Sequence, residues 1–179
     1  MSDIDILHQM IKDSAKLSCD KRVVLTEFEE PDSSVSISGL PKEIIVIKAD
    51  AFKSPDTVFN GSFGECRRAD YVIVAEKKKV ILCIEMKAKK GSEKEIIQQL
   101  TGAQCFIAYC REIGKAFWEQ QDFLEGYVYR FVSIGHTSIP KRPTRISRRA
   151  GVHDSPKRML KIDWPHDLQF NHLAGVRKN

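Results

Sequence analysis

Three polar residues at the ends of two apolar runs carry the chemistry to be expected of this chain: Asp70, Glu85 and Lys87. Residues 69–87 read Ala-Asp-Tyr-Val-Ile-Val-Ala-Glu, then Lys-Lys-Lys, then Val-Ile-Leu-Cys-Ile-Glu-Met-Lys. Two β-branched stretches around a short charged tip predict a hairpin. Strand side chains alternate faces, so Glu85 and Lys87 share one and Met86 takes the other. If Lys77 and Lys78 form a two-residue turn, Glu76 pairs with Lys79 and Asp70 falls opposite Glu85. A three-residue tip would slip the register and put Asp70 opposite Met86. In the first register two carboxylates face each other, which is unfavourable in a sheet. Val72, Val74, Ile81 and Cys83 on the same face imply burial, which adds to the cost. A divalent cation removes it, and hard oxygen ligands suit Mg²⁺ or Mn²⁺. Lys87 would then serve a water or an oxyanion, and the chemistry is metal-assisted hydrolysis of a phosphodiester.

Asp70, the Glu85-Met86-Lys87 run and the glutamine-bearing helix after it resemble the PD-(D/E)XK nuclease superfamily, over roughly residues 44–134. The resemblance implies a restriction-endonuclease-like fold, with Asp70 and Glu85 as metal ligands and Lys87 serving the attacking water. A backbone carbonyl near Met86 would add a ligand. It further implies a glutamine reaching back toward the lysine. Gln99 fits that role better than Gln98, which lies further around from the apolar stripe of the helix. The chain departs from the pattern in having Ala69, not Pro, before Asp70. A literal Pro55-Asp56 sits among Lys, Ser, Thr and Asn, in what reads as a loop. Some branches carry a Tyr four residues after the Gln, where this chain has Gly102 and Ala103. If the register were slipped, Asp50 or Asp56 would replace Asp70.

The elements that must hold these residues follow from periodicity. Residues 3–17 read as an amphipathic helix capped by Ser2 or Asp3. Residues 23–28 and, more weakly, 35–38 read as strands, and 42–48 as a strand buried on both faces. Residues 54–64 form a polar loop that leads to Arg67 and Arg68, which read either as an exposed strand entrance or as contacts to substrate phosphate. After the basic turn at 88–91, Ser92 and Glu95 predict a capping box for a helix to about Ile113, stopped by Gly114. Its apolar stripe is Ile96, Leu100, Ala103, Ile107 and Cys110. A short helix over 115–125 and an aromatic-rich strand over 127–134 complete the body. The fold class expected is α/β, a layered domain with a central mixed sheet flanked by helices.

At 179 residues with 42% hydrophobic content the chain fits one domain or one domain with an appendage. Charge divides it: 19 basic against 21 acidic residues through Pro140, then 10 against 3 from Lys141. Residues 1–140 are therefore expected as a nuclease-like domain and 141–179 as a basic C-terminal extension for a polyanion, including Lys141, Arg142, Arg145, Arg148 and Arg149. Five scattered cysteines suit core thiols in a reducing cytosol better than a metal cluster, with Cys83, Cys105 and Cys110 inside apolar patterns. No apolar run is long enough to cross a membrane. The expected protein is a cytoplasmic nuclease for nucleic acid, DNA first. Cutting both strands would call for a homodimer. Two other readings keep the fold without the chemistry: an inactive nucleic-acid-binding module and a protein-interaction subunit.

Overall fold

The computed structural model describes residues 1–27, 33–89, 91–135, 152–163 and 167–175. Helix α1 (Asp3–Met10) is entered through a capping box in which Ser2 Oγ accepts from the Asp5 N–H and the Asp5 carboxylate accepts from the Ser2 N–H, both at 3.1 Å. It ends well short of residue 17. A 3-10 turn leads into strand β1 (Lys16–Leu17), where Leu17 pairs with Val46. The apolar spacing that suggests one long helix is thus shared by two elements.

Strands β2 (Arg22–Thr26) and β3 (Ser34–Ser38) pair antiparallel. Strand β4 (Ile44–Lys48) is buried through its Ile-Ile-Val-Ile run. The hairpin follows as β5 (Tyr71–Ala75) and β6 (Val80–Lys87). Helix α2 (Glu93–Phe117) crosses to β7 (Val128–Gly135). Short pieces close the chain: β8 (Leu160–Asp163), β9 (Asp167–Gln169) and helix α3 (Phe170–Leu173).

A six-stranded mixed sheet runs β1-β4-β5-β6-β7-β8, antiparallel as far as β6 and parallel beyond it. A second sheet of three strands, β2-β3-β9, packs with α3 on one face of the first, through Val23, Leu25, Ile37, Leu168 and Phe170. Helices α1 and α2 cover the other face, through Ile4, Leu7, Leu100, Ala103 and Ile107. The fold is α/β with a mixed central sheet. Its central strands are apolar on both faces because a layer lies on each side.

Four sequence expectations change. Ser92 is the N-cap of α2 but makes no side-chain capping bond. Gly114 does not stop that helix, which runs on to Phe117 and takes in the start of the expected 115–125 helix; a side chain at 114 would collide with the Phe123 ring packed there. Cys105 is exposed, while Cys83 and Cys110 are buried. The segment from 141 is not wholly an appendage: β8 extends the main sheet beside β7, and β9 extends the second beside β3. Lys141, Arg142, Arg145, Arg148 and Arg149, like Trp164, Pro165 and His166, lie outside the described residues. No helix among the described residues is long and apolar enough to cross a membrane.

Candidate functional site

The hairpin register decides what faces what. Tyr71 pairs with Ile84, Val72 with Cys83 and Ala75 with Val80, so the next position outward sets Asp70 opposite Glu85. The tip is a four-residue loop over 76–79, with the Lys79 N–H bonded to the Glu76 carbonyl at 3.0 Å and Lys79 at φ 48°. Two- and four-residue loops preserve the same pairing, whereas a three-residue loop shifts it. The missing Asn-Gly signal therefore did not cost the register.

Glu85 is fully buried, and neither carboxylate oxygen has a hydrogen-bond donor in good alignment among the described residues. Lys87, two residues along on the same face and 29% exposed, brings Nζ to 2.9 Å from Glu85 Oε1 as an ion pair. Asp70 is partly buried, and its Oδ2 accepts the Met86 N–H at 2.6 Å. Burial raises the Glu85 carboxyl well above its ordinary range, Asp70 raises it further, and Lys87 only partly offsets this. Burial likewise lifts Asp70 to about 7, against the pull of the Met86 N–H and Lys87, with Asp50 and Glu27 adding to the rise. Burial by itself would lower Lys87, but Glu85 and Asp70 outweigh it and hold the ammonium above its usual value. Burial and mutual repulsion thus oppose charging both carboxyls at once.

A cleft of about 520 Å³ opens over Asp70, lined by Glu27, Lys48, Asp50, Arg68, Asp70, Met86, Lys87 and Gln99, with Glu85 buried behind it. Gln99 enters it from α2, its Oε1 buried and without a hydrogen-bond partner among the described residues. Gln98 points elsewhere and donates to the Phe63 carbonyl at 2.9 Å. Four residues after Gln99 stands the buried Ala103, and a side chain at the adjacent Gly102 would collide with the Arg67 carbonyl. That close approach of loop to helix brings Arg68 into the cleft and feeds the chain into Asp70. Asp56 lies exposed in a turn that Val58 N–H closes onto the Pro55 carbonyl at 2.9 Å, away from the cleft.

Glu27 and Lys48 went unmarked by sequence reasoning. Lys48 ends β4 and pairs with Tyr71, beside Asp70. Glu27 arrives because the Tyr71 hydroxyl donates to the Thr26 carbonyl at 2.5 Å and accepts the Thr26 N–H at 3.1 Å, which ties the end of β2 to the main sheet. No local pattern encodes that contact; a carboxylate just past a strand end was the only signal.

As a cation site the pair offers one fully buried carboxylate, ion-paired to Lys87, and a second opposite it, a donor set that fits Mg²⁺ or Mn²⁺. No group of three His, Cys, Asp or Glu side chains suited to a metal occurs among the described residues, so backbone carbonyl and water would have to complete the sphere. Compared with known proteins, the chain matches no family model, no curated protein and no solved structure.

Proposed function

We propose that this chain is a Mg²⁺- or Mn²⁺-dependent nuclease that hydrolyses phosphodiester bonds, DNA before RNA, on a restriction-endonuclease-like fold of the PD-(D/E)XK kind. One observation carries the reading: Asp70 and Glu85 face each other at the end of a buried hairpin, Glu85 fully buried with both oxygens lacking an aligned donor, and Lys87 beside them. A buried carboxylate left in this state is costly unless a cation completes it.

Asp70 and Glu85 would hold the metal. The Met86 N–H points toward Asp70, and in a strand the carbonyl of the same residue points to the same side, where β5 has ended and offers it no ladder partner. A bound divalent ion supplies Lewis acidity and lowers the pKa of a water. With a cation neutralising the pair, Lys87 would be free to turn its ammonium from Glu85 to the attacked phosphate or its water. Gln99, with a buried acceptor and no partner, orients that ammonium. Arg68 holds substrate phosphate at the cleft wall.

The test is incubation of linear, circular and single-stranded DNA, and of RNA, with and without Mg²⁺ or Mn²⁺. Metal-dependent cleavage that Lys87→Ala lowers by at least about 100-fold, with binding retained, is the expected result. Equal cleavage by Lys87→Ala would sink the assignment. A binding module without chemistry is the second reading, because Lys87 already neutralises Glu85 and no three-residue ligand cluster is present among the described residues. Mn²⁺ titration followed by calorimetry separates the two.

A further inference from the structure

A second compartment adjoins the cleft on the same face of the sheet. In register, Glu85 is paired with Ser133 and Ser133 with Lys161, so one row of side chains runs from the proposed centre across β7 to β8. The next row is Lys87, Gly135 and Asp163. Over these rows lies a hollow of about 260 Å³ bounded by Lys87, Lys89, Ser133, Lys161, Asp163 and the first residue of α2, Glu93. Lys87 belongs to both hollows.

Resting on the nuclease reading, we propose that this compartment binds the phosphate next to the scissile one on the same nucleic-acid strand. Three ammonium groups and two carboxylates line it, with Lys161 paired to Glu93 at 2.8 Å and Lys87 to Glu85 at 2.9 Å. The amino end of a 25-residue helix points here, with no side chain satisfying its first N–H groups through Ser92. Ser133 is 7% exposed, lines the hollow and makes no side-chain hydrogen bond among the described residues. Its hydroxyl is therefore open to a ligand in the hollow. Gly135 makes room for the Asp163 carboxylate, since a Cβ there would stand 2.7 Å from Asp163 Oδ1. Adjacent strands lie about 4.8 Å apart, so Ser133 and Lys161 are one and two strand spacings from Glu85, within reach of a neighbouring phosphate.

The experiment uses the full chain and a fluorescein-labelled single-stranded oligonucleotide, unmodified or with one methylphosphonate on either side of the cut bond. Lys161→Met is the variant, with its melting curve confirming the fold. In the parent protein, one of the two methylphosphonates should lower kcat/KM about tenfold, the loss of one charge-assisted contact. In Lys161→Met the same replacement should cost nothing further. Independent, multiplying losses would overturn the proposal. Binding is read separately by anisotropy across a salt series in a chelator. Lys161→Met should lower the slope of log affinity against log salt by about 0.7 for a single strand. Glu93→Gln, which frees Lys161, should tighten binding. An unchanged slope together with an unchanged or weakened Glu93→Gln overturns the subsite even if cleavage is observed. A protein that never cleaves but shows both binding effects loses the nuclease reading and keeps the phosphate site.

Discussion

Two carboxyl groups that prefer to be neutral make pH the most direct probe at the scale of single residues. The folded chain holds the Asp70 proton to about 7, whereas an unfolded aspartate releases it near its ordinary 3.8. Between those values the native state binds more protons than the unfolded one, so native stability falls as pH rises. Each retained proton contributes a slope of about 1.4 kcal/mol per pH unit. Glu85 is shifted in the same direction and extends the loss upward. In a chelator, urea midpoints should therefore decline from about pH 4 to about pH 7, and Glu85→Gln, which keeps the shape without the charge, should flatten that decline. Mn²⁺ should raise the melting temperature more at pH 8 than at pH 5, because it binds the ionised pair. Equal shifts at both pH values would count against a metal at this place.

At the scale of elements, α2 has two glycines whose value lies in contact. By helix propensity alone, Gly→Ala inside a helix stabilises by up to about 1 kcal/mol. At Gly102 the new methyl would strike the Arg67 carbonyl, and at Gly114 the Phe123 ring. Overpacking of this kind costs about 1–3 kcal/mol, so collision should win at both positions. Gly102→Ala should also disturb the cleft, since the displaced backbone leads to Arg68 and Asp70, whereas Gly114→Ala should lower stability and leave the cleft alone. Urea denaturation with Mn²⁺ affinity on the two variants checks the contrast. Tyr71→Phe belongs to the same scale: it removes both bonds to Thr26, for a loss of about 1–2 kcal/mol, and loosens the hold of the main sheet on the strand that delivers Glu27.

For the whole molecule, the question is whether residues 141–179 are dispensable. Among the described residues after 151, Met159, Leu160, Ile162, Leu168, Phe170 and Leu173 are buried, one in the helix-side core and five in the core between the sheets. The buried His153 adds a bond from its Nε2 to the Leu173 carbonyl at 2.6 Å. Burying each large apolar side chain contributes about 1.5–3 kcal/mol, and a domain has only about 5–15 kcal/mol in total. A chain ended at Pro140 should therefore lose cooperative thermal unfolding by circular dichroism. A sharp transition in the truncated chain would show that residues 141–179 are an appendage after all.

The sequence by itself determined the hairpin and its polar ends. Period two places Glu85 and Lys87 on one face and apolar runs on both sides require two covering layers, but the loop parity that sets Asp70 opposite Glu85 rather than Met86 came from the structure. It also marked the stripe of α2, since Ile96, Leu100, Ala103, Ile107 and Cys110 are all buried. These are local patterns, repeated within one element or across one tight turn. Long-range packing decided the rest. Gly114 reads as a helix stop until the ring against it is seen, and Gly102 has no evident role until the Arg67 carbonyl against it is seen. Strands β1, β8 and β9 have two to four residues each and too few repeats to show a period, so only their ladders reveal them. Glu27 and Lys48 reach the cleft through pairings with residues more than twenty positions away. Ser133 and Lys161 join the row of Glu85 only through parallel strands, whose partners a sequence cannot align without the crossover between them.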